Sequence, residues 1–207
     1  MLHIVALVGI DGAGKTTQAR LLAEWLTTQG AAALYLRNAA GRRWCNRLAV
    51  RLGLRDGDAL FGRAGMLTIE SVLRWWVIAS GLRQARRTGS IAVMDRYAWC
   101  QYANIRARGA RGERLARLLY RAFPTPELTC FLAVPPTLAH TRVEARGTDH
   151  EELAGLVAGD AAYRSMIEEG NFAVIDASGS VEVVAQRLRA VVVDRRVWRS
   201  PGAPATP

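Results

Sequence analysis

A glycine-rich stretch directly after a short apolar run constrains the fold of this chain more than any other feature. Residues 3–8 are mostly apolar, the stretch Gly9-Ile-Asp-Gly-Ala-Gly-Lys15-Thr16 follows, and an amphipathic segment begins at Thr16. Glycines let a loop wrap around a polyphosphate, while the amides of the loop and of the following helix point at the anion. A buried strand before the loop and a helix after it are the context that this chemistry requires. The sequence therefore predicts a loop that binds a nucleoside triphosphate.

The lysine of this loop supports the interpretation. The chain has 28 Lys and Arg residues, and Lys15 is its only lysine. A compact ammonium group can bridge the β- and γ-phosphates where a guanidinium fork would not fit, and the Thr16 hydroxyl can bind Mg²⁺. With no second lysine, the chain cannot contain the Asn-Lys-x-Asp motif of guanine-specific GTPases. The residues expected to contact the triphosphate are Gly9, Ile10, Asp11, Gly12, Ala13, Gly14, Lys15, Thr16 and Thr17.

Apolar runs and amphipathic segments alternate along the chain. Strands are predicted at residues 3–8, 31–36, 91–94, 128–134 and 172–175. Helices are predicted at residues 16–29, 66–87, 111–122, 137–146 and 181–193. A further helix is predicted to end near residue 168, and residues 38–65 are expected to contain a helix and a loop. This alternation predicts an α/β fold of the P-loop NTPase type, with a five-stranded parallel sheet and helices on both faces. We expect one domain over residues 1–195 and a disordered tail over 196–207.

The charge of the chain invites a nucleic-acid interpretation that its distribution weakens. The net charge is +10, but the arginines are spread over the whole chain. Their densest cluster, residues 106–121, is interpreted as one face of a helix. An anionic substrate accounts for part of the excess charge and a solvated surface for the rest. We therefore do not expect nucleic acid as a main partner.

Two further features bear on location. Apart from the first strand, the longest apolar stretch is interrupted by Glu70 and Arg74, so no membrane-spanning helix of ~20 nearly uncharged residues is expected. The three cysteines, Cys45, Cys100 and Cys130, are scattered and form no CxxC pair. That pattern is typical of reduced thiols in a cytoplasmic protein, without a disulfide framework or a zinc site.

Charged residues elsewhere suggest the rest of an active site. Asp95-Arg96-Tyr97 follows the third strand, where Asp95 could hold Mg²⁺ through water and Arg96 could bind an acceptor phosphate. The alternative is a helix-capping aspartate beside a surface arginine. Arg74 interrupts an apolar helix, so it either reaches a cleft or pairs with Glu70 one turn earlier.

A pair of arginines late in the chain suggests a lid. Arg142 and Arg146 are four residues apart, share one helix face and precede the polar segment 147–152. Two guanidinium groups on a closing lid near residues 142–152 could neutralise charge on a transferring phosphoryl group. The alternative is a solvated helix face that flanks Glu144.

These motifs, in this order, resemble thymidylate kinases and related nucleoside-monophosphate kinases over about residues 3–195. The Ile-Asp-Gly filling of the loop is typical of that family, and Asp95-Arg96-Tyr97 matches its Asp-Arg-Tyr/His motif. Leu132-Ala-Val-Pro-Pro136, followed by Arg142 and Arg146, is similar to its fourth strand and lid helix. Asp149-His-Glu-Glu152 resembles the family's Asp-Arg-x-Glu signature, with His150 at the arginine position.

The resemblance implies a nucleoside-monophosphate-kinase topology, often in a homodimer packed through helices that include the one around Trp75. It implies ATP and Mg²⁺ on the loop and a nucleoside monophosphate across the cleft. Asp11 would face the acceptor sugar, Arg37 and Arg96 the acceptor phosphate, and Arg74 the base. Gln101 and Asn104 would occupy further acceptor positions. Lys15, Arg96, Arg142 and Arg146 would carry catalysis, and Thr16 and Asp95 the metal.

The departures from the family fall mostly on the acceptor side. Arg37-Asn-Ala-Ala-Gly41 stands where the family has Arg-Glu-Pro-Gly-Gly. Glu70 replaces a phenylalanine that stacks on thymine, and Asn104 replaces a tyrosine that helps to exclude a 2′-hydroxyl. The hypothesis is therefore ATP-dependent phosphoryl transfer to a nucleoside monophosphate, which could be dTMP or another. The alternatives are a kinase of a nucleoside or another small metabolite, a non-catalytic ATP-binding regulatory module, and a nucleic-acid-associated P-loop protein.

Overall fold

The computed structural model describes residues 2–38, 50, 51, 53, 55, 57–147, 151–195 and 197, without the side chains of 57–59, 63, 64 and 67. Cys45, Asp149, His150, most of the predicted helix and loop within 38–65, and the predicted tail apart from Val197 lie outside these residues. The expectations for them therefore stay predictions.

Five parallel strands form the sheet, as predicted. They are β1 (Ile4–Val8), β2 (Ala33–Arg37), β3 (Ile91–Asp95), β4 (Leu128–Ala133) and β5 (Ala173–Asp176). Their order in the sheet is β2-β3-β1-β4-β5. Every residue of β1 and β3 is buried, which is why these strands are continuous apolar runs rather than alternating ones. The fold is thus the predicted α/β arrangement, a five-stranded parallel sheet with helices around it.

Eight helices surround this sheet in the described part of the chain. They are α1 (Lys15–Thr28), α2 (Gly57–Thr88), α3 (Ala98–Ala107), α4 (Glu113–Tyr120), α5 (Pro136–Arg146), α6 (Leu153–Arg164), α7 (Ile167–Gly170) and α8 (Val181–Asp194). A kink at Gly62 interrupts α2. The described residues contain no helix with the length and apolar character needed to span a membrane.

Three features of the helices differ from the prediction. Helix α3 was not predicted, and the predicted helix ending near residue 168 is divided into α6 and α7. Residues 106–121 are not one helix face, because α3 ends at Ala107 and α4 begins only at Glu113. Arg106 on α3 and Arg117 on α4 instead bind the same carboxylate, that of Glu113. Arg106 and Arg117, two members of this cluster, therefore link α3 to the beginning of α4 through Glu113.

The loops after the strands meet at one edge of the sheet. Helix α1 packs on β2, β3 and α8, while α3 packs on α4 and α6. Because the strands are parallel, the segments after β1, β2, β3, β4 and β5 all emerge at the carboxyl edge. Ligands of open α/β sheets bind in the crevice at this edge. The candidate residues after β1, β2 and β3 therefore belong to one region.

Candidate active site

The loop between β1 and α1 has the backbone that a phosphate site needs. Gly14 caps the amino terminus of α1 with φ 87°, in the left-handed region, and Lys15 is the first helical residue. Inside the loop, the Ala13 amide donates to the Ile10 carbonyl at 3.3 Å, which closes a tight turn. Residues 15–17 form the first turn of α1, so their amides lie at the end of the helix dipole that attracts anions.

Lys15 is held inside this loop. Only 4% of the residue is exposed, and its Nζ donates to the Ile10 carbonyl at 2.6 Å and to Asp11 Oδ1 at 3.3 Å. The pKa of Lys15 lies below its ordinary value, because burial and the neighbouring Arg96 outweigh the opposite effect of Asp11 and Asp95. A buried ammonium with few competing waters interacts strongly with an anion. This position suits the contact with the β- and γ-phosphates.

Asp11 joins the loop to the segment after β3. Arg96 Nη2 donates to Asp11 Oδ1, the oxygen that Lys15 also contacts. Burial raises the pKa of Asp11, but Arg96 and Lys15 outweigh it and hold that pKa well below its ordinary value. The carboxylate therefore stays ionised. Asp11 Oδ1 therefore contacts two cationic side chains, Lys15 at the start of α1 and Arg96 in the segment after β3.

The backbone at Arg96 is unusual. Its φ is 79°, a left-handed value that non-glycine residues adopt rarely. The Arg96 amide donates to the Leu7 carbonyl at 3.1 Å, which fixes this turn against β1. Strained backbone of this kind is concentrated at functional sites. The turn supports Arg96 as an active-site residue and not a freely solvated surface arginine.

Asp95 lies beside Thr16, as a metal site requires. The Thr16 hydroxyl donates to Asp95 Oδ2 at 2.6 Å, and the Tyr35 hydroxyl donates to the same oxygen at 3.2 Å. The other oxygen, Oδ1, is buried and accepts no hydrogen bond from the described residues. Carboxylate and hydroxyl oxygens are ligands that Mg²⁺ prefers. A buried carboxylate oxygen without a donor fits a cation, so Thr16 and Asp95 could hold Mg²⁺.

This donor set is small. Within the described ranges, no group of three or more His, Cys, Asp or Glu side chains could hold a metal ion. Mg²⁺ in phosphoryl-transfer sites is typically bound by one or two protein oxygens, substrate phosphates and water. The Thr16–Asp95 pair is consistent with that arrangement and not with a zinc site.

The end of β2 and the residue that follows it contribute two polar side chains. Arg37, the last residue of β2, is exposed and lies in register with Asp95. Asn38 is fully buried; its backbone amide donates to the Asp95 carbonyl at 3.0 Å, and both polar atoms of its side chain make no hydrogen bond with described residues. The sequence analysis named Arg37 as a candidate contact of the acceptor phosphate, and it did not identify Asn38 or Tyr35 as neighbours of Asp95.

The predicted acceptor residues lie between α2 and α3. Gln101 Nε2 donates to Ser71 Oγ at 2.6 Å, and Asn104 Nδ2 donates to Glu70 Oε2 at 3.2 Å. Arg74 is 4% exposed, and its Nε and Nη1 donate to no described residue. Buried polar groups without partners are costly. The two helices thus form a polar region in which Arg74 has donors available for a ligand.

The predicted lid arginines are on α5, and Arg142 makes side-chain hydrogen bonds to other described residues. Arg142 Nη1 donates to the Ala177 carbonyl at 2.9 Å, and its Nη2 donates to the Ser178 and Gly179 carbonyls at 3.2 and 3.3 Å. Arg146, in the last turn, is exposed. Arg142 therefore connects α5 to the loop between β5 and α8, a contact that its sequence position did not predict.

Comparisons with known proteins identify the family to which this chain belongs. A family model described as thymidylate kinase matches residues 7–188. The probable thymidylate kinase of Archaeoglobus fulgidus is 29% identical, over 91% of this chain and 94% of its own length. The thymidylate kinase of Xanthomonas campestris is 32% identical, over 92% of this chain and 82% of its own. The probable thymidylate kinase of Pyrococcus abyssi is 32% identical, over 72% and 73%.

The matched region includes the P-loop, the residues after β3, the region between α2 and α3, and α5. It therefore contains all the candidate site residues predicted from the sequence. A non-catalytic module and a kinase of unrelated metabolites are not favoured by these findings. The chain belongs to the thymidylate kinase family, and its activity is ATP-dependent phosphoryl transfer to a nucleoside monophosphate.

Proposed function

We propose that the acceptor is dTMP, so that Mg²⁺-dependent transfer from ATP yields dTDP and ADP. The observation that supports transfer between two bound phosphates is the Asp11 carboxylate, which contacts Lys15 of the donor loop and Arg96 of the acceptor side through one oxygen. Two phosphates held by these cations would lie close to each other. The names of the relatives support thymidylate as the acceptor.

The donor half would act by neutralising charge. Lys15 would contact the β- and γ-phosphates, and amides of the loop and of the first turn of α1 would surround them. Thr16 and Asp95 would hold Mg²⁺, which would supply positive charge to neutralise the phosphates. The protein groups of the donor half are in place before the substrate binds, and such preorganisation is a large part of enzymatic catalysis.

The acceptor half would position the attacking phosphate. Arg96 and Arg37 would bind the acceptor phosphate and Asp11 would face the sugar, while Arg74, Gln101 and Asn104 would contact the nucleoside. Phosphoryl transfer depends chiefly on alignment and on charge neutralisation. We therefore expect direct transfer without a covalent enzyme intermediate. Arg142 and Arg146 would cover the transferring group when the lid closes.

The acceptor is tested by coupled ADP release with ATP and Mg²⁺ over a panel of ribo- and deoxynucleoside monophosphates and nucleosides. We expect turnover with nucleoside monophosphates, and the highest kcat/KM with dTMP. A higher kcat/KM for another nucleotide would overturn thymidylate as the acceptor. A matched control is Arg86→Ala. Arg86 is exposed in the last turn of α2, next to the amino-terminal end of β3 and therefore at the edge of the sheet opposite the candidate site. This variant should leave kcat/KM unchanged.

We also propose that the chain forms a homodimer through the outer faces of α2 and α4. The Trp75 indole on α2 donates to the Leu119 carbonyl on α4 at 3.1 Å, so the two helices are adjacent. Large apolar side chains on both helices are exposed, namely Val72, Leu73, Trp76, Leu115, Leu118 and Leu119. Large exposed apolar side chains gathered on adjacent helices are typical of an interface.

Light scattering coupled to size exclusion tests the dimer. We expect a dimer of the wild-type chain at micromolar concentration and a monomer after Trp76→Glu combined with Leu118→Glu. Val193→Glu, at an exposed apolar residue of α8, is the matched control and should stay dimeric. A wild-type chain that elutes as a monomer would refute this proposal without affecting the assignment of dTMP.

A further inference from the structure

The Asp95 carboxylate is held asymmetrically. Hydroxyl groups from two different elements, Thr16 of α1 and Tyr35 of β2, donate to its Oδ2 at 2.6 and 3.2 Å. Its Oδ1 is buried and receives no hydrogen bond from the described part of the chain. A carboxylate that rotates can exchange its two oxygens. Two donors on one oxygen oppose that rotation and keep the other oxygen available.

Tyr35 is itself fixed by a second contact. The Arg20 guanidinium carbon lies 5.2 Å from the centroid of the Tyr35 ring, within the range of a cation–π interaction. Arg20 follows Thr16 by four residues on α1, so both side chains are on the same helix face. Helix α1 also packs directly on β2. One face of α1 therefore carries Thr16, which donates to Asp95, and Arg20, which contacts the ring of the second donor, Tyr35.

The position of Tyr35 in the sheet explains the reach of its hydroxyl. Strand β2 pairs with β3, with Tyr35 opposite Val93 and Arg37 opposite Asp95. Tyr35 is thus two residues from the register position of Asp95, on the neighbouring strand, and its long side chain spans that offset. A shorter side chain at residue 35 could not make the contact. Phenylalanine would keep the ring and remove only the donor.

We propose that Tyr35 is a positioning residue for phosphoryl transfer, which holds Asp95 Oδ2 so that Oδ1 stays available to the Mg²⁺ of the bound nucleotide. The inference rests on the proposed function, because it requires Asp95 to take part in metal binding. Tyr35 acts through Asp95 and does not touch the substrate. Groups that orient metal ligands in this way typically change metal affinity or activity 10- to 100-fold when they are removed.

The test measures metal binding directly. Free Mn²⁺ is quantified by electron paramagnetic resonance while Mn²⁺ is titrated into the full-length protein saturated with ADP. Tyr35→Phe should raise the dissociation constant for Mn²⁺ about 10-fold. Its affinity for ADP in the presence of EDTA should stay unchanged, since the ring and its packing are retained. Tyr102→Phe, which removes a hydroxyl on α3, should leave both affinities unchanged.

A second variant separates this inference from the proposed function. Asp95→Asn should weaken Mn²⁺ binding more than Tyr35→Phe does. If Asp95→Asn weakens binding and Tyr35→Phe matches the wild type, Tyr35 has no positioning role and the metal site stands. If Asp95→Asn leaves Mn²⁺ affinity unchanged, the metal site of the proposed function is wrong, and the role of Tyr35 is overturned with it.

Discussion

Gly12 of the P-loop lies directly against the backbone of Ala139 on helix α5. A Cβ atom added to Gly12 would be 2.3 Å from the Ala139 carbonyl oxygen, and Gly12 has φ +86°. Ala139 is fully buried, so its backbone cannot retreat without moving α5. The P-loop and helix α5, which carries Arg142 and Arg146, are therefore packed backbone to backbone.

Replacing Gly12 by alanine should destabilise the fold more than the same change at Gly14. Gly14 has nearly the same φ, +87°, but no atom within 4 Å of an added Cβ. Both variants incur a left-handed penalty of about 1–2 kcal/mol. Only Gly12→Ala adds overpacking, of about 1–3 kcal/mol. Thermal unfolding without nucleotide measures the difference, and equal melting temperatures would contradict the packing of the loop on α5.

Arg142→Ala should lower kcat more than it weakens ATP binding. The lid role predicts a loss of about 10²-fold in kcat, because one positive group at the transferring phosphoryl is removed. Steady-state kcat and KM for ATP test this prediction, with Arg83→Ala, an exposed change on α2, as the control. Equal losses in kcat and in ATP affinity would mean that Arg142 acts only through its bonds to the carbonyls of residues 177–179.

Asn104→Tyr should raise the preference for deoxyribonucleotides. Asn104 donates to Glu70 Oε2, and the family resemblance places at this position a tyrosine that helps to exclude a 2′-hydroxyl. We expect the wild type to discriminate weakly between dUMP and UMP, and the variant to favour dUMP about 10-fold more strongly. The ratio of the two kcat/KM values is the measurement. An unchanged ratio would remove Asn104 from sugar discrimination.

Glu113→Gln should reduce stability in a pH-dependent way. Hydrogen bonds from Arg106, and also from Arg117, hold the pKa of Glu113 below its ordinary value of 4.5. A carboxylate with a lowered folded-state pKa stabilises the fold above 4.5, and this contribution is lost as pH falls through the folded-state pKa. The variant should lose about 1 kcal/mol of unfolding free energy at neutral pH.

Urea unfolding at neutral pH and at a pH below 4.5 tests this sign. The difference between wild type and Glu113→Gln should shrink at the acidic pH, because protonated glutamate and glutamine then make similar contacts. Glu24→Gln, at an exposed residue of α1, is the control and should change little at either pH. A constant difference would contradict an ionic role for Glu113.

The sequence was sufficient for the sheet and for the position of the P-loop between β1 and α1. The buried parallel strands are continuous apolar runs, and the P-loop has a spacing that its chemistry dictates. Helix α3 was missed for a physical reason. Six of its ten residues are buried, so it lacks the one-sided apolar pattern by which a surface helix is identified.

Contacts between distant segments were the least predictable. Tyr35 approaches Asp95 only because β2 pairs with β3 in the observed register. Arg142 reaches the carbonyls after β5 across more than thirty residues of sequence. Arg106 and Arg117 look like one helix face in sequence, yet they converge on Glu113 from two helices. Such pairs depend on three-dimensional neighbours that no local pattern records.

The central claim is that this P-loop transfers the γ-phosphoryl group of ATP to dTMP, with Lys15 as the essential cation. The most direct test follows radiolabel from the γ-phosphate of ATP in a single turnover with excess enzyme. We expect labelled dTDP with the wild type and at least about 10²-fold slower labelling with Lys15→Met. Label that appears only in inorganic phosphate, or transfer by Lys15→Met at the wild-type rate, would contradict it.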